Sequence, residues 1–352
     1  MEKQNYKVIG VMSGTSLDGI DLIYVDFFKH DTWKFEILQA QTIAYPDSWQ
    51  MRLSQSMNLS QLALQELNKE YTAYLAGVIL SFIADNSIVE VDFVASHGHT
   101  VFHQPEAGYT LQIGNLPEIA AHLNLKVICD FRVDDVALGG QGAPLVPIGD
   151  ALLFAQYDYC LNLGGFANVS FVEGSRRIAF DICAVNTVMN HLVAPLGLAY
   201  DKGGEIASRG NVDQELLKEL QSLPFYQKAY PKSLGMEWVK SDVFPILEAY
   251  DLKVEDLLRT YVEHIALQLS AIFKPNTTVL ATGGGAYNSF LMQRTATLSS
   301  ANIHIPDPLI VDFKEALIFG LLGVLKLTNQ VNCLSSITGA SKDHSSGRIY
   351  EV

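Results

Sequence analysis

A strand-turn-strand unit that occurs twice constrains this chain more than any other feature. Its first copy is Val8-Ile9-Gly10-Val11-Met12-Ser13-Gly14-Thr15-Ser16-Leu17-Asp18-Gly19-Ile20-Asp21. An apolar run enters the turn and another leaves it, with glycines, hydroxyls and one carboxylate between them. Ile20 to Phe27 reads as a second strand and Trp33 to Tyr45 contains a third, so Lys7 to Tyr45 is an antiparallel meander. The plan recurs later: Tyr157 to Leu163 is strand-like, Gly164-Gly165-Phe166-Ala167-Asn168 is a tight turn, and Val169 to Val172 and Arg177 to Ile182 follow as strands. Two such turns suit a phosphate clamp, in which backbone N–H groups and hydroxyls close on the phosphate and the acid helps hold a hydrated metal ion. The alternative is a chance repetition of ordinary hairpin chemistry.

At 352 residues the chain is long for one core, and its length suggests two domains. With 49% hydrophobic and 18% charged residues it is a folding chain, not a disordered one. A formal net charge of −14 opposes nucleic-acid phosphates and anionic membranes, so small-molecule chemistry is expected, with no nucleic acid and no membrane as partner. Met1 to Tyr6 is polar and lacks the apolar stretch of a signal peptide. Ala316 to Leu327 is too short to span a bilayer and carries Gly320 and Gly323, so a buried helix in a cytoplasmic protein is expected. Cys129, Cys160, Cys183 and Cys333 lie far apart with no Cys-x-x-Cys pair, which points to buried free thiols and to neither disulfide nor zinc.

Between the two copies, apolar residues recur at helical spacing over Ser60 to Ala84, with Ser60 as N-cap. Val91 to Ser96 reads as a strand, Val101 to Ile113 as a hairpin turning near Gly108, Leu116 to Asn124 as a short helix and Lys126 to Phe131 as a strand. Asp134 to Pro144, with three glycines and a proline, is expected to be a loop where two domains meet. Beyond the second copy, helices are expected over Asn186–Leu196, Val212–Leu220 and Leu257–Phe273. A strand at Thr278–Ala281, the triplet Gly283-Gly284-Gly285 and a helix opening near Asn288 follow. The order is α/β.

Several nucleotide and hydrolase sites fail on inspection. No Gly-Lys pair exists for a P-loop, and no Gly-x-Gly-x-x-Gly opens a helix. Gly14-Thr15-Ser16-Leu17-Asp18 narrowly misses a nucleophile elbow, but a strand follows it where the elbow needs a helix.

Met12-Ser13-Gly14-Thr15-Ser16-Leu17-Asp18-Gly19, Leu111-Gln112-Ile113-Gly114, Asp130-Phe131-Arg132, Gly139-Gly140-Gln141-Gly142-Ala143-Pro144-Leu145-Val146-Pro147, Asn162-Leu163-Gly164-Gly165 and Gly283-Gly284-Gly285 occur in this order along nearly the whole chain. Together they closely resemble the anhydro-N-acetylmuramic acid kinases. The resemblance implies the actin, hexokinase and heat-shock ATPase superfamily: an α/β chain with two ribonuclease-H-like domains around a nucleotide cleft. The expected division is 1–135 and 136–330, with a topology that allows the tail 331–352 to rejoin the first domain. It also implies ATP and Mg²⁺, an anhydro-amino-sugar substrate and a homodimer. The implied reaction opens the 1,6-anhydro ring of 1,6-anhydro-N-acetylmuramic acid with water and phosphorylates O6, giving N-acetylmuramic acid 6-phosphate in peptidoglycan recycling. A kinase of this fold for another anhydro- or amino-sugar, or a nucleotide- or sugar-binding sensor without turnover, are the alternatives.

By the same resemblance, Gly14, Thr15, Ser16, Leu17, Asp18, Gly19, Ile20 and Asp21 form the first phosphate loop, and Asn162, Gly164, Gly165 and Asn168 the second. Gly283, Gly284, Gly285 and Asn288 approach the adenosine. Asp18 would hold Mg²⁺ directly or through water, or else cap its own turn. Asp181, ending the third strand of the second copy, is the candidate catalytic base; the plain reading is a strand-end turn aspartate. Relatives often continue this motif as Asp-Thr-Gly-Pro-Gly-Asn, whereas this chain reads Asp181-Ile182-Cys183-Ala184-Val185-Asn186.

His97-Gly98-His99-Thr100 stands where relatives have His-Gly-Gln-Thr, so His97, His99 and Thr100 are expected on the sugar side with Gln112, Arg132 and Asn186. On a strand His97, His99 and His103 would share one face, which admits a metal reading that lacks a fourth ligand. Glu315 matches a family carboxylate near the substrate, or it closes a capping box with Asp312.

Overall fold

The structure is a computed structural model that describes residues 5–14 and 17–352. Thr15 and Ser16, expected as phosphate ligands, lie outside the described residues. The chain forms two compact units, residues 1–154 with 313–352, and residues 155–312. Residues 136–154 and 313–330, expected with the second domain, thus pack with the first. The glycine-rich stretch before Pro144 lies inside the first unit and is not the junction it was expected to be.

In the first unit, β1 (Asn5–Ser13), β2 (Gly19–Lys29) and β3 (Trp33–Ala44) form the meander, β4 (Phe93–Gln104) and β6 (Val127–Cys129) extend it in parallel, and β5 (Tyr109–Ile113) pairs with β4. In the second, β7 (Tyr159–Leu163), β8 (Phe166–Glu173) and β9 (Arg176–Ala184) form a meander that β10 (Thr278–Thr282) and β11 (Asn302–His304) extend in parallel. The order β3-β2-β1-β4-β6 is the order β9-β8-β7-β10-β11. The echo seen in the turn chemistry is therefore a duplication of the sheet. A last strand, β12 (Arg348–Tyr350), returns the tail to β6. Three residues with one intermediate and two exposed positions gave no alternation to read. Val91–Ser96 and the first arm of the expected hairpin are one strand, β4.

Burial explains the first sheet. Val8, Ile9, Val11 and Met12 are all buried, because β1 is central and covered on both faces. One face carries helix Gln61–Asp85, whose start is held by the Ser60 hydroxyl accepting from Ala63 N, and whose buried stripe runs through Leu64, Leu67, Tyr71, Leu75, Ile79 and Phe82. Helix Pro308–Leu327 comes so near β1 that a Cβ on Gly10 would stand 2.2 Å from the Ala316 carbonyl oxygen. That helix starts at Pro308, where Asp307 accepts from Leu309 N. Asp312 and Glu315 therefore lie inside it, and the capping-box reading of Glu315 falls. No described helix is long and apolar enough to cross a membrane. All four cysteines are buried and none is in a disulfide.

Lys314 and Asp150, each 4% exposed, form an ion pair at 3.2 Å in this core. Asp150→Ala strands the ammonium and is expected to cost about 3–5 kcal/mol in urea unfolding; a loss under about 1 kcal/mol would show that the pair is solvated.

Candidate active site

In the first unit the hairpin register pairs Ser13 with Ile20, leaving the tip as the loop. Ile20 is fully buried, Gly19 packs against the Ile43 carbonyl, and Asp21 accepts from Thr42 Oγ1 at 2.6 Å on β3. The side chains of Ile20 and Asp21 are thus turned to core and sheet. Leu17, at φ +61°, packs on the core, while Asp18 at the tip is exposed.

A polar chain runs inward from this hairpin. Ser13 Oγ donates to the Gly98 carbonyl at 2.8 Å, and the same oxygen accepts from His97 Nδ1 at 2.8 Å. A carbonyl only accepts, so Nδ1 carries the imidazole proton and Nε2 is left as an acceptor. Arg132 Nε fills it at 2.8 Å and Arg132 Nη1 donates to the Gly142 carbonyl at 2.7 Å. Burial first, and the Arg132 charge second, hold His97 well below the usual imidazole range. Gly142 is fixed in turn by its N–H to Asp135 Oδ2 at 2.7 Å.

Gly98, at φ +74°, breaks the pleat of β4, and the histidines part there. The His97 ring meets Phe319, while His99 turns to Tyr71 in the helix-covered core. His97, His99 and His103 therefore do not present one ligand face, and the metal reading of this segment falls. Burial pushes His99 down to about 4. Thr100 and Gln112 face each other across β4 and β5, and Gln112 Nε2 donates to Thr110 at 2.9 Å. His99 Nδ1, Gln112 Oε1 and Asn115 Oδ1 are buried without a hydrogen-bond partner. Asn115, which sequence reasoning missed, ties the His97 carbonyl to Asp130 Oδ1. Glu315 is pushed up by desolvation and down by Arg132 and Lys314; it is open to water, which weakens both effects.

In the second unit the β7–β8 turn, β9 and the glycine triplet converge. Gly164 N donates to Phe166 O, and the carbonyls of Gly164 and Gly165 accept from the first N–H groups of helix Asn186–Val193. Gly283, at φ +80°, packs on Asn162 and Leu163, where a Cβ would stand 2.6 Å from Asn162 Oδ1, and Gly285 packs on Leu163. Gly284 has nothing nearer its Cβ position than Asn186 Nδ2 at 3.9 Å. It faces a pocket of about 700 Å³ whose wall includes Asn186, Asn190, Tyr200, Lys202, Tyr287 and Asn288. Asn186, expected on the sugar side, stands here because it opens the helix beneath the glycine turn. Asn288 is also the N-cap of helix Ser289–Ser299, accepting from Leu291 N at 3.0 Å. Tyr200, Lys202 and Tyr287 went unread in the sequence, although the pair Gly203-Gly204, both at positive φ and folded onto Ser289 and Asn288, signals a tight turn there.

Asp181 lies opposite Asn168 in the β8–β9 register. Its Oδ2 accepts from Leu234 N at 2.8 Å and its N–H donates to the Lys232 carbonyl. Burial raises its carboxyl above the usual range, against the lowering by the Leu234 bond. Ile182 to Val185, which replace the relatives' small residues, are buried in the core of this unit, and Tyr261 donates to the Ala184 carbonyl.

A family model described as anhydro-N-acetylmuramic acid kinase matches residues 6–352. The chain belongs to that family. The anhydro-N-acetylmuramic acid kinase of Shewanella sp. strain MR-4 is 36% identical over 367 aligned positions, covering 97% of each chain. That of Haemophilus influenzae Rd is 31% identical over 388, covering 99% of this chain and 98% of the other. The family's activity is ATP-dependent phosphorylation of the anhydro sugar, so this is an ATP-using sugar kinase. Among solved structures, the (R)-2-hydroxyglutaryl-CoA dehydratase component A of Acidaminococcus fermentans aligns at a TM-score of 0.47 and 12% identity, over 91% of this chain and 97% of that one; a likeness at that level says nothing of chemistry.

The histidine geometry has a direct readout. His97 and His99 are expected to stay neutral from about pH 8 to 5 in long-range ¹H–¹⁵N spectra, with the His97 proton on Nδ1. Titration of His97 within that window contradicts the hydrogen-bond assignment, and titration of His99 contradicts its burial.

Proposed function

We propose that Asp181 is the general base of a coupled reaction. Its carboxylate takes a proton from water as that water attacks the anomeric carbon of 1,6-anhydro-N-acetylmuramic acid. The C1–O6 bond breaks, O6 takes the γ-phosphoryl group of ATP, and ADP leaves with N-acetylmuramic acid 6-phosphate. The observation that carries this reading is the setting of Asp181: one oxygen is held by Leu234 N–H, and burial raises its proton affinity towards what a base acting on water needs. Positioning and charge neutralisation supply most of the phosphoryl-transfer rate.

ATP is placed by this reading in the second unit, with adenosine against the open face of Gly284 between Tyr200 and Tyr287, and phosphates towards Asn162, Gly164, Gly165 and Asn168. Asp18 is an exposed carboxylate, the hard oxygen donor that Mg²⁺ takes together with waters and phosphate oxygens. The ion, when bound, offsets charge on the transferring phosphoryl group. Arg132 and Thr100 are assigned to the polar sugar and its carboxylate, with the buried Gln112 and Asn115 behind them, while His99, turned into the helix-covered core, is left out of the contact set. Glu315 supports the substrate side. The peptidoglycan-recycling role, the cytoplasmic site of action and a homodimer complete the reading; four buried cysteines without a disulfide suit a reducing compartment.

Asp181→Asn is expected to lower kcat roughly 10²- to 10⁴-fold while nucleotide binding is kept. In the unmutated enzyme the acidic limb of kcat/KM should lie above the ordinary aspartate range, since activity is lost as pH falls through a raised pKa. A variant of undiminished rate removes Asp181 from the reaction. Gly284→Ala places a Cβ that meets no close atom, so it should fold normally yet raise the KM for ATP about tenfold; an unchanged KM puts the nucleotide elsewhere.

A further inference from the structure

Cys333 and His344, eleven positions apart on the tail, are partners in an antiparallel bridge. Cys333 N donates to the His344 carbonyl at 3.1 Å and His344 N to the Cys333 carbonyl at 3.2 Å. Directly opposed residues send their side chains to the same face. That face meets Asp135, which is fully buried: the Cys333 thiol donates to Asp135 Oδ1 at 3.0 Å, and His344 Nε2 lies 3.6 Å from the same oxygen. The three potential ligand atoms all fall within 4.8 Å of one another. Tetrahedral zinc, with bonds of about 2.0 to 2.3 Å, needs its ligand atoms roughly 3.3–3.7 Å apart, so small adjustments suffice.

The second observation is the state of His344. Its Nδ1 pairs with the Lys342 carbonyl at 3.0 Å, an acceptor, so Nδ1 carries a proton and Nε2 is the nitrogen turned inward. Nε2 is buried with no hydrogen-bond partner in a side chain only 8% exposed, and the group it faces is a carboxylate. A ring nitrogen, a sulfur and a carboxylate oxygen thus converge on one buried position. An Nδ1–H bonded to a backbone carbonyl with Nε2 pointing inward is also the usual posture of a metal-ligating histidine.

We propose that Asp135, Cys333 and His344 form a structural site for a divalent cation of the zinc type, which clasps the C-terminal tail onto the glycine loop of the first unit. The mixed oxygen, sulfur and nitrogen set suits Zn²⁺. On binding, the Cys333 S–H bond breaks, its proton leaves to solvent and a sulfur–metal bond forms, with no change of oxidation state. A thiolate and a carboxylate then neutralise the dication, as a buried cluster requires. Gly142 N and Thr338 Oγ1, each 2.7 Å from an Asp135 oxygen, orient the carboxylate, and a water completes the fourth position. The site lies apart from the loop and pocket residues described above, but through Gly142 it steadies the Arg132 bond to His97.

The test is a Co²⁺ titration of the full chain after chelator treatment, followed by absorption spectroscopy, beside Zn²⁺ content by elemental mass spectrometry as purified. About one equivalent of bound metal, with the intense near-ultraviolet thiolate-to-Co²⁺ band and a four-coordinate visible spectrum, is expected. Cys333→Ser should abolish the band and His344→Gln should weaken binding at least tenfold, while Cys160→Ser keeps both. A folded wild-type chain that shows no thiolate band overturns the proposal, as does an unchanged band in Cys333→Ser. Because the wild-type spectrum alone can overturn it, misfolding of a variant leaves the proposal testable.

Discussion

A carboxylate fully withdrawn from water must find its donors within the protein, and Asp135 takes them from two distant stretches: Gly142 N–H on the glycine loop, and the Thr338 hydroxyl and Cys333 thiol on the tail. The consequences run outward in order. Gly142 is placed so that its carbonyl receives Arg132, Arg132 then reaches His97 Nε2, and that bond leaves the His97 proton on Nδ1, where the Gly98 carbonyl takes it. The same carbonyl takes the Ser13 hydroxyl at the mouth of the first hairpin loop. One buried charge thereby fixes the tail, the glycine loop, the tautomer of a buried histidine and the root of the candidate phosphate loop. Interior hydrogen bonds of this kind are stronger than in water, and each orphaned partner costs correspondingly more.

Much of the architecture was legible because it follows from local chemistry. The continuous apolar run of β1, the helical stripe after Ser60 and the turn residues of both hairpins each have a physical period or a dihedral demand that a single stretch reveals. The duplicated strand order followed from recognising that the two turns had the same setting. What was not legible depends on distance in sequence. Glycines 139 and 142 signal a loop, but nothing local says that this loop is pinned from the tail through Asp135 and so belongs to the first unit. The capping reading of Asp312 and Glu315 failed because Asp307, five residues earlier, already starts the helix. The pleat break at Gly98 parted histidines that strict alternation would have aligned.

The candidate site shows the same division. Gly164, Gly165 and the triplet 283–285 could be read as close-approach positions, and the structure gives each triplet glycine its own neighbours. Gly283 and Gly285 have no room for a Cβ over Asn162 and Leu163, while Gly284 faces open space. Tyr200 and Lys202 could not be found this way, since their place on the pocket wall is set by a turn folded onto Asn288. The departure after Asp181 also changes weight. Ile182 to Val185 are core residues in the structure, so the loss of the relatives' small residues is absorbed by packing, and Asp181 keeps its bond to Leu234. Cys333 and His344, unremarkable in a sequence without a zinc pattern, acquire meaning only when the bridge sets them side by side over Asp135.

The central claim is that this family member joins ring opening by water to transfer of a phosphoryl group onto the oxygen that the opening releases. The most direct measurement is mass spectrometry of 1,6-anhydro-N-acetylmuramic acid incubated with the enzyme and Mg-ATP in oxygen-18 water. The account predicts a sugar that has gained one phosphoryl group and, at the anomeric carbon, one oxygen-18. A phosphorylated product that keeps its anhydro bridge, or no product while ATP is bound, contradicts it.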